Sequence, residues 1–411
     1  MSKFNQKFFK SIFIIIPFLL IYVGTAFQNT NASLSSIIKM AGFAYMIVYI
    51  IINNKLNVRL LLATLCFMPF VIYGVLNSFN IKAGLSDGIR YFFPIITLYY
   101  GYSIRHHLPL IIKFVIAFVL INFFVQIINY INWIRGIDQW FYYETSDGLR
   151  YYNESAGIMR ATGTVVFFGF FGFFNLISLF LIKEYYSGKF KNILIAICLL
   201  GIILSLSYKT IGVFLVILCF YYYKTFIKLS PLIGMGIFAV CVSFPKLIND
   251  IIKEIVNRFT VYISEGTSMR AESYRVMFHE IENFNLLGKG IGMFGGPASI
   301  SYNSPYYQEV YFYWFDTAWL ELPTTDTYPP HAFVELGIIG ASLYFFLLLI
   351  PLFRKKFDKN YAIAIIIYFA LFFDMLFSFS LNNLEFLMYS LVFIYPILYT
   401  AQRNNITYVK A

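Results

Sequence analysis

The sequence predicts an all-α polytopic membrane protein of about twelve transmembrane helices with one large loop outside the bilayer. Three observations carry this. The chain has 411 residues, 60% of them hydrophobic and only 12% charged. Soluble domains carry roughly 25% charge, so a chain this long has too few charges to cover globular surfaces. Apolar runs long enough to cross about 30 Å of hydrocarbon recur along most of the sequence. Lys and Arg are also divided unevenly between alternate loops.

The runs fall near 11–27, 35–52, 60–77, 89–104, 108–132, 161–182, 192–207, 211–227, 230–245, 331–353, 361–380 and 384–400. Each should be a helix, because an open sheet cannot satisfy its backbone in lipid. Lys3, Lys7 and Lys10 ahead of the first run give it the look of a signal peptide. The many runs behind it make a retained first helix the expectation. Cys66, Cys198, Cys219 and Cys241 each lie inside an apolar run, so neither a disulfide framework nor a zinc site is expected.

With the N-terminus inside, the cytoplasmic loops and tails collect seventeen Lys and Arg, from Lys3 to Lys410. The short outer loops hold six: Lys82, Arg90, Arg135, Arg150, Arg160 and Lys209. That bias sets both termini in the cytoplasm. It also accounts for the net charge of +11 by basic loops at membrane surfaces rather than by nucleic-acid binding. The chain then divides into a bundle over 1–245 with an outer loop at 134–160, an outer loop or cap over 246–330, and a three-span bundle over 331–411.

The two outer segments hold or adjoin all four tryptophans, Trp133, Trp140, Trp314 and Trp319, and many tyrosines. These read either as an interfacial aromatic belt or as platforms for the apolar faces of sugar rings. Apolar residues at helical spacing over 246–264 suggest a helix on the membrane surface or in the core of the cap. Thr267 or Ser268 is a natural N-cap for a helix to about Asn283, with Ala271, Tyr274, Phe278 and Ile281 along one face. Arg270 falls in its first turn. A cation there opposes the helix dipole, so it either pairs with Glu265 or Glu272 or attends a bound anion. Arg160 and Lys209 stand at outer span mouths. They either snorkel to headgroups or join Arg270 in cradling a lipid diphosphate. The run LGKGIGMFGG at 287–296 lacks P-loop spacing and reads as a tight turn returning the cap to the bundle. Asp326, His331 and Glu335 gather where the loop enters the tenth span, a set able to take a proton from a hydroxyl. Glu335 and Asp374 are intramembrane carboxylates, which are costly to bury. Lys39 and Lys113, near span ends, read as snorkelling.

This layout resembles the superfamily of O-antigen and capsular polysaccharide polymerases (Wzy-type) and O-antigen ligases. Four short stretches carry the resemblance: Arg160 with Gly163; Ser207-Tyr208-Lys209-Thr210, with Lys where relatives have Arg; Arg270, Tyr274 and the Gly288-Lys289-Gly290 turn; and Glu335 with Gly337 and Gly340. Asp326, eleven residues before Gly337 (337 − 326), falls at the family's His or Asp, and Thr327 replaces the Asn. The Asp favours polymerase over ligase. The resemblance implies a GT-C-like glycosyltransferase of the cytoplasmic membrane that needs no metal or other cofactor. Donor and acceptor would both be undecaprenyl-diphosphate-linked glycans, with membrane lipids, a chain-length regulator and a flippase as further partners. Arg160, Arg270 and Lys209 would neutralise the departing diphosphate, and Glu335, His331 or Asp326 would be the base. The alternatives are an O-antigen ligase acting on lipid A-core and a lipid-linked oligosaccharide flippase.

Overall fold

The computed structural model describes residues 3–400 apart from 29, 142, 145–149, 152, 153, 156, most of 222–267, 313–326 and 354–357. The chain begins with five long helices: α1 (Lys3–Ala26), α2 (Ala32–Asn53), α3 (Val58–Leu76), α4 (Ile81–Ser103) and α5 (Leu108–Ile134). Asn31, Asn57 and Asn80 cap α2, α3 and α4, each side chain accepting from a first-turn N–H. Two short antiparallel pairs follow, β1 (Tyr143–Glu144) with β2 (Arg150–Tyr151), and β3 (Glu154–Ser155) with β4 (Ile158–Met159). Next come α6 (Phe168–Tyr185), α7 (Lys191–Leu204) and α8 (Tyr208–Tyr221). The loop region contributes α9 (Met269–Glu282), α10 (Pro297–Ser301) and α11 (Tyr306–Glu309). The chain closes with α12 (Tyr328–Leu349), α13 (Lys359–Met375), α14 (Leu384–Met388) and α15 (Leu391–Thr400).

Among the described residues, α2, α3, α5, α6 and α12 with its following 3-10 turn are long and apolar enough to cross a bilayer. Shorter apolar helices occupy Ser11–Ala26, α7, α8 and Leu384–Thr400. The molecule is therefore a helical membrane protein. The expected run at 230–245 and the surface helix at 246–264 lie largely outside the described residues, as do Trp314, Trp319 and Asp326.

Helix α6 is the central post. Every side chain from Gly169 to Ile182 is buried, as expected of a helix that is apolar all round. Polar pairs tie the outer helices inward. Lys39 does not snorkel; its ammonium lies 3.3 Å from Glu385, fastening α2 to α14.

The glycine-rich run is a threaded segment rather than a surface turn. Helix α12 breaks at Gly337, where φ is 70° and ψ is −179°. The backbone groups released by the break bond to the incoming chain: Ile338 N–H donates to Asn285 O at 3.0 Å, and Lys289 N–H to Val334 O at 2.9 Å. Ile291 N–H then donates to Gly74 O on α3 at 2.8 Å. Such irregular backbone is tolerated at membrane depth only where protein satisfies it. At the crossing, a Cβ on Gly288 would lie 2.1 Å from Glu335 O, and one on Gly337 2.3 Å from Gly288 N.

Candidate functional site: a cationic cavity at the head of the bundle

A cavity of about 470 Å³ opens where α6, α8 and α9 begin and α13 ends; Arg160, Lys209 and Arg270 all line it. Sequence had set Arg160 and Lys209 at separate span mouths and Arg270 on the cap helix, and the fold brings the three together. Phe167, Phe168, Tyr208, Phe373 and Phe377 provide its aromatic walls.

Arg160 is buried, and its guanidinium lies 3.8 Å from the Phe168 ring centroid. One of its terminal nitrogens donates to Leu206 O at 2.9 Å. The segment following it, 161–167, was expected to be helical and is not. Helix α5 holds that segment from below. Gln126 Oε1 accepts from Thr162 N at 2.9 Å and Gly163 N at 2.8 Å, and Asn122 Oδ1 accepts from Thr164 N at 2.9 Å. Asn129 accepts from Trp140 N at 3.1 Å. These three amides recur at spacings of four and three, so they stand on one helix face. Sequence reasoning missed them, although amides at that period inside an apolar span were a readable signal. Val166 (φ 63°) and Leu206 (φ 46°) flank the cavity in the left-handed region. Each costs of order 1–3 kcal/mol and persists only where surroundings enforce it.

Lys209 is the second residue of α8. Its ammonium is 2.7 Å from Asp374 Oδ1 on α13. Ser378, one turn later, bonds to the same carboxylate.

Arg270 sits in the first turn of α9, as expected, with Ser268 as the N-cap accepting from Ala271 N at 3.2 Å. Glu272 bonds to Arg275 at 2.7 Å. Tyr274 O–H donates to Leu376 O at 2.9 Å, fastening α9 to the end of α13, and burial pushes its phenol up to about 12. The apolar face read from sequence is not the buried one. Ser273, Val276, Met277 and Glu280 point inward, while Phe278 is 54% exposed. The cause is a second small core with Phe294, Tyr306, Tyr307, Phe312 and Val334. Glu280 joins it because Tyr306 O–H donates to its carboxylate at 2.7 Å. Burial, and then that carboxylate, hold the Tyr306 phenol far above its ordinary value, so it stays a donor.

Glu335 and His331 come together, but away from this cavity, and both are fully buried. Glu335 Oε1 accepts from Gly292 N at 2.8 Å and Phe294 N at 3.2 Å; Oε2 accepts from Tyr91 O–H at 3.0 Å. His331 Nδ1 bonds to Phe294 O at 2.7 Å, and its ring stacks on Tyr91 at 5.3 Å. Asp87 on α4 accepts from Ala298 N at 3.2 Å and lies 3.4 Å from Arg90. This cluster clamps the threaded segment. Three donors already occupy the Glu335 carboxylate, whereas His331 Nε2 is buried with no hydrogen bond among the described residues. Asp326, the remaining candidate, lies outside the described residues.

Fold and site together define a helical membrane protein with a cavity lined by Arg160, Lys209 and Arg270. No family model and no curated protein matches the chain.

Proposed function

We propose that this protein is a glycosyltransferase that polymerises undecaprenyl-diphosphate-linked repeat units into O-antigen or capsular polysaccharide, at the outer face of the cytoplasmic membrane. The observation that carries the reading is the convergence of Arg160, Lys209 and Arg270 on one aromatic-walled cavity. Two guanidiniums offer planar forks suited to a diphosphate, and the start of α9 adds the positive end of its dipole. Charge that develops on a departing diphosphate would be neutralised there.

In the reaction, a hydroxyl oxygen of the acceptor's non-reducing sugar bonds to the donor's anomeric carbon. The bond from that carbon to the phosphate oxygen breaks, and undecaprenyl diphosphate leaves with its electron pair. The hydroxyl proton passes to a carboxylate. Glu335 is enclosed and fully engaged, so Asp326, adjacent in sequence to the start of α12, is our choice of base. Glu335 and His331 are positioning residues in this reading. The proposed setting is a twelve-span bundle with both termini cytoplasmic and the cap outside. A cysteine introduced at Ser301 should then be labelled from outside, and one at Lys356 should not.

The deciding experiment sizes the lipid-linked glycan in a deletion strain and tests its accessibility from outside. Single repeat units at the outer face support polymerase. Long chains retained on the carrier would make the protein a ligase, and single units trapped on the inner face would make it a flippase.

A further inference from the structure

The opposite end of the bundle carries a second cationic cavity, of about 430 Å³, that the proposed reaction does not use. It lies where α3 begins and where α4, α12 and α15 end; Asn57, Arg59, Tyr102, Arg105, Tyr395 and Tyr399 line it. Helix α13 spans 17 residues, about 25 Å, and its start follows the end of α12 by a short link, so the end of α12 is remote from the end of α13, where the first cavity lies.

Arg105 is pre-set rather than swinging free. Its guanidinium lies 4.1 Å from the Tyr102 ring centroid and 5.5 Å from that of Tyr399, and Nη1 donates to Tyr102 O at 2.7 Å. That leaves most of its five N–H groups for a ligand. Asn57 fixes the start of α3 by accepting from Arg59 N at 3.0 Å and Leu60 N at 3.2 Å, and its amide nitrogen donates to Tyr395 O–H at 3.3 Å. Among the described residues neither Arg59 nor Arg105 is paired with a carboxylate. Two guanidiniums around one hollow, with no carboxylate partner among the described residues, call for an anion. Planar forks beside tyrosine hydroxyls suit phosphate oxygens.

We propose that this second cavity binds a phosphate group, with an anionic phospholipid headgroup as its source. The rim favours lipid over free phosphate. Val58 is 67% exposed and Phe353 is 54% exposed beside the arginines, giving acyl chains an apolar surface directly next to the charged hollow. Basic pockets between helix ends are suited to such headgroups.

The test uses the purified full-length protein in non-ionic detergent. Phosphatidylglycerol, phosphatidylcholine and inorganic phosphate are titrated separately, with native mass spectrometry counting bound lipid and hydrogen exchange following the Arg59 and Leu60 amides. One phosphatidylglycerol should bind saturably and protect those amides, with phosphatidylcholine at least tenfold weaker. Arg59→Gln, a change at an exposed side chain that carries no fold contact, should weaken phosphatidylglycerol binding about tenfold, and Arg59→Lys less. Protection of the same amides by inorganic phosphate alone would retain the phosphate site and reject lipid as its source. Equal lipid binding and equal protection in wild type, Arg59→Gln and Arg105→Gln would overturn the proposal.

Discussion

The ammonium of Lys209, which lines the cation cavity, and the carboxylate of Asp374 lie 2.7 Å apart, joining the first turn of α8 to the last turn of α13. Both side chains are largely buried, so neither charge is well solvated alone. Breaking such a pair from one side costs about 3–5 kcal/mol, whereas replacing both partners by apolar groups is often neutral. Asp374→Ala should therefore lower the thermal midpoint clearly, and Lys209→Met with Asp374→Leu should recover most of it. Thermal unfolding of all three variants in detergent reads this, and equal midpoints for Asp374→Ala and wild type would contradict it.

The same pair ranks the three cations. Lys209 is a point charge held by Asp374, whereas Arg160 and Arg270 each offer a planar fork able to bind two phosphate oxygens, so loss of either arginine should cost more. Arg160→Ala and Arg270→Ala should each abolish polymer while the protein remains in the membrane, and Lys at either position should restore little. Lys209→Ala should leave a reduced but measurable yield. Wild-type polymer from both arginine variants, run on a gel against a deletion strain, would remove the cavity from the mechanism.

The amide face of α5 gives a graded test of how Arg160 is held. Gln126→Met strands two buried N–H groups, at about 1–3 kcal/mol each, and should lower both the midpoint and polymer yield. Asn129→Leu releases one N–H, that of Trp140, and a long 3.5 Å donation to Gly163 O, and should be milder. The reverse order in both measurements would show that the Arg160 segment is held by something else.

At Gly337 a methyl group meets backbone at 2.3 Å and the residue has φ 70°. Three residues on, a Cβ at Gly340 would touch only the Leu336 side chain at 3.0 Å and Phe70 at 3.2 Å. Gly337→Ala should prevent accumulation of folded protein, whereas Gly340→Ala should be tolerated. Size-exclusion profiles of the two variants decide it.

Glu335→Gln separates two roles. The amide keeps an oxygen for the Gly292 and Phe294 N–H groups, and its nitrogen can donate to Tyr91 once that hydroxyl turns. A positioning residue should lose some stability and keep substantial polymer yield. Complete loss of polymer with an unchanged thermal midpoint would return the base to Glu335.

The helices were legible where hydropathy alone decides them: the run 108–132 is α5, Leu108–Ile134, to within two residues at each end. Hydropathy failed where backbone bonding decides. The run from 161 is apolar, yet α6 starts only at Phe168, because the α5 amides accept the N–H groups of Thr162, Gly163 and Thr164. Helix α4 starts at Ile81, eight residues ahead of the expected 89, capped by Asn80, and its buried Asp87 accepts the Ala298 N–H from a distant segment that hydropathy does not register. In the site, Arg160 and Lys209 were readable from their positions at span mouths, and Arg270 from its place in the first turn of a capped helix. The partner of Lys209, 165 residues away (374 − 209), was not. Glu335 was flagged by the cost of burying it, but the amides that satisfy it come from another segment and leave no local trace.

The passage of Ile291 alongside Gly74 bears on how the chain is made. The two are 217 residues apart (291 − 74). At a ribosomal pace of about 5–20 residues per second, the groove beside α3 waits roughly 10–40 s for its occupant. During that interval Gly74 and Ala83 front an unfilled slot, open to lipid or to an insertase. Truncation before residue 285 should therefore leave α3 and α4 integrated but vulnerable to membrane proteases. Resistance should appear only once the threaded stretch and α12 have emerged, so maturation of the first third of the protein is governed by the last.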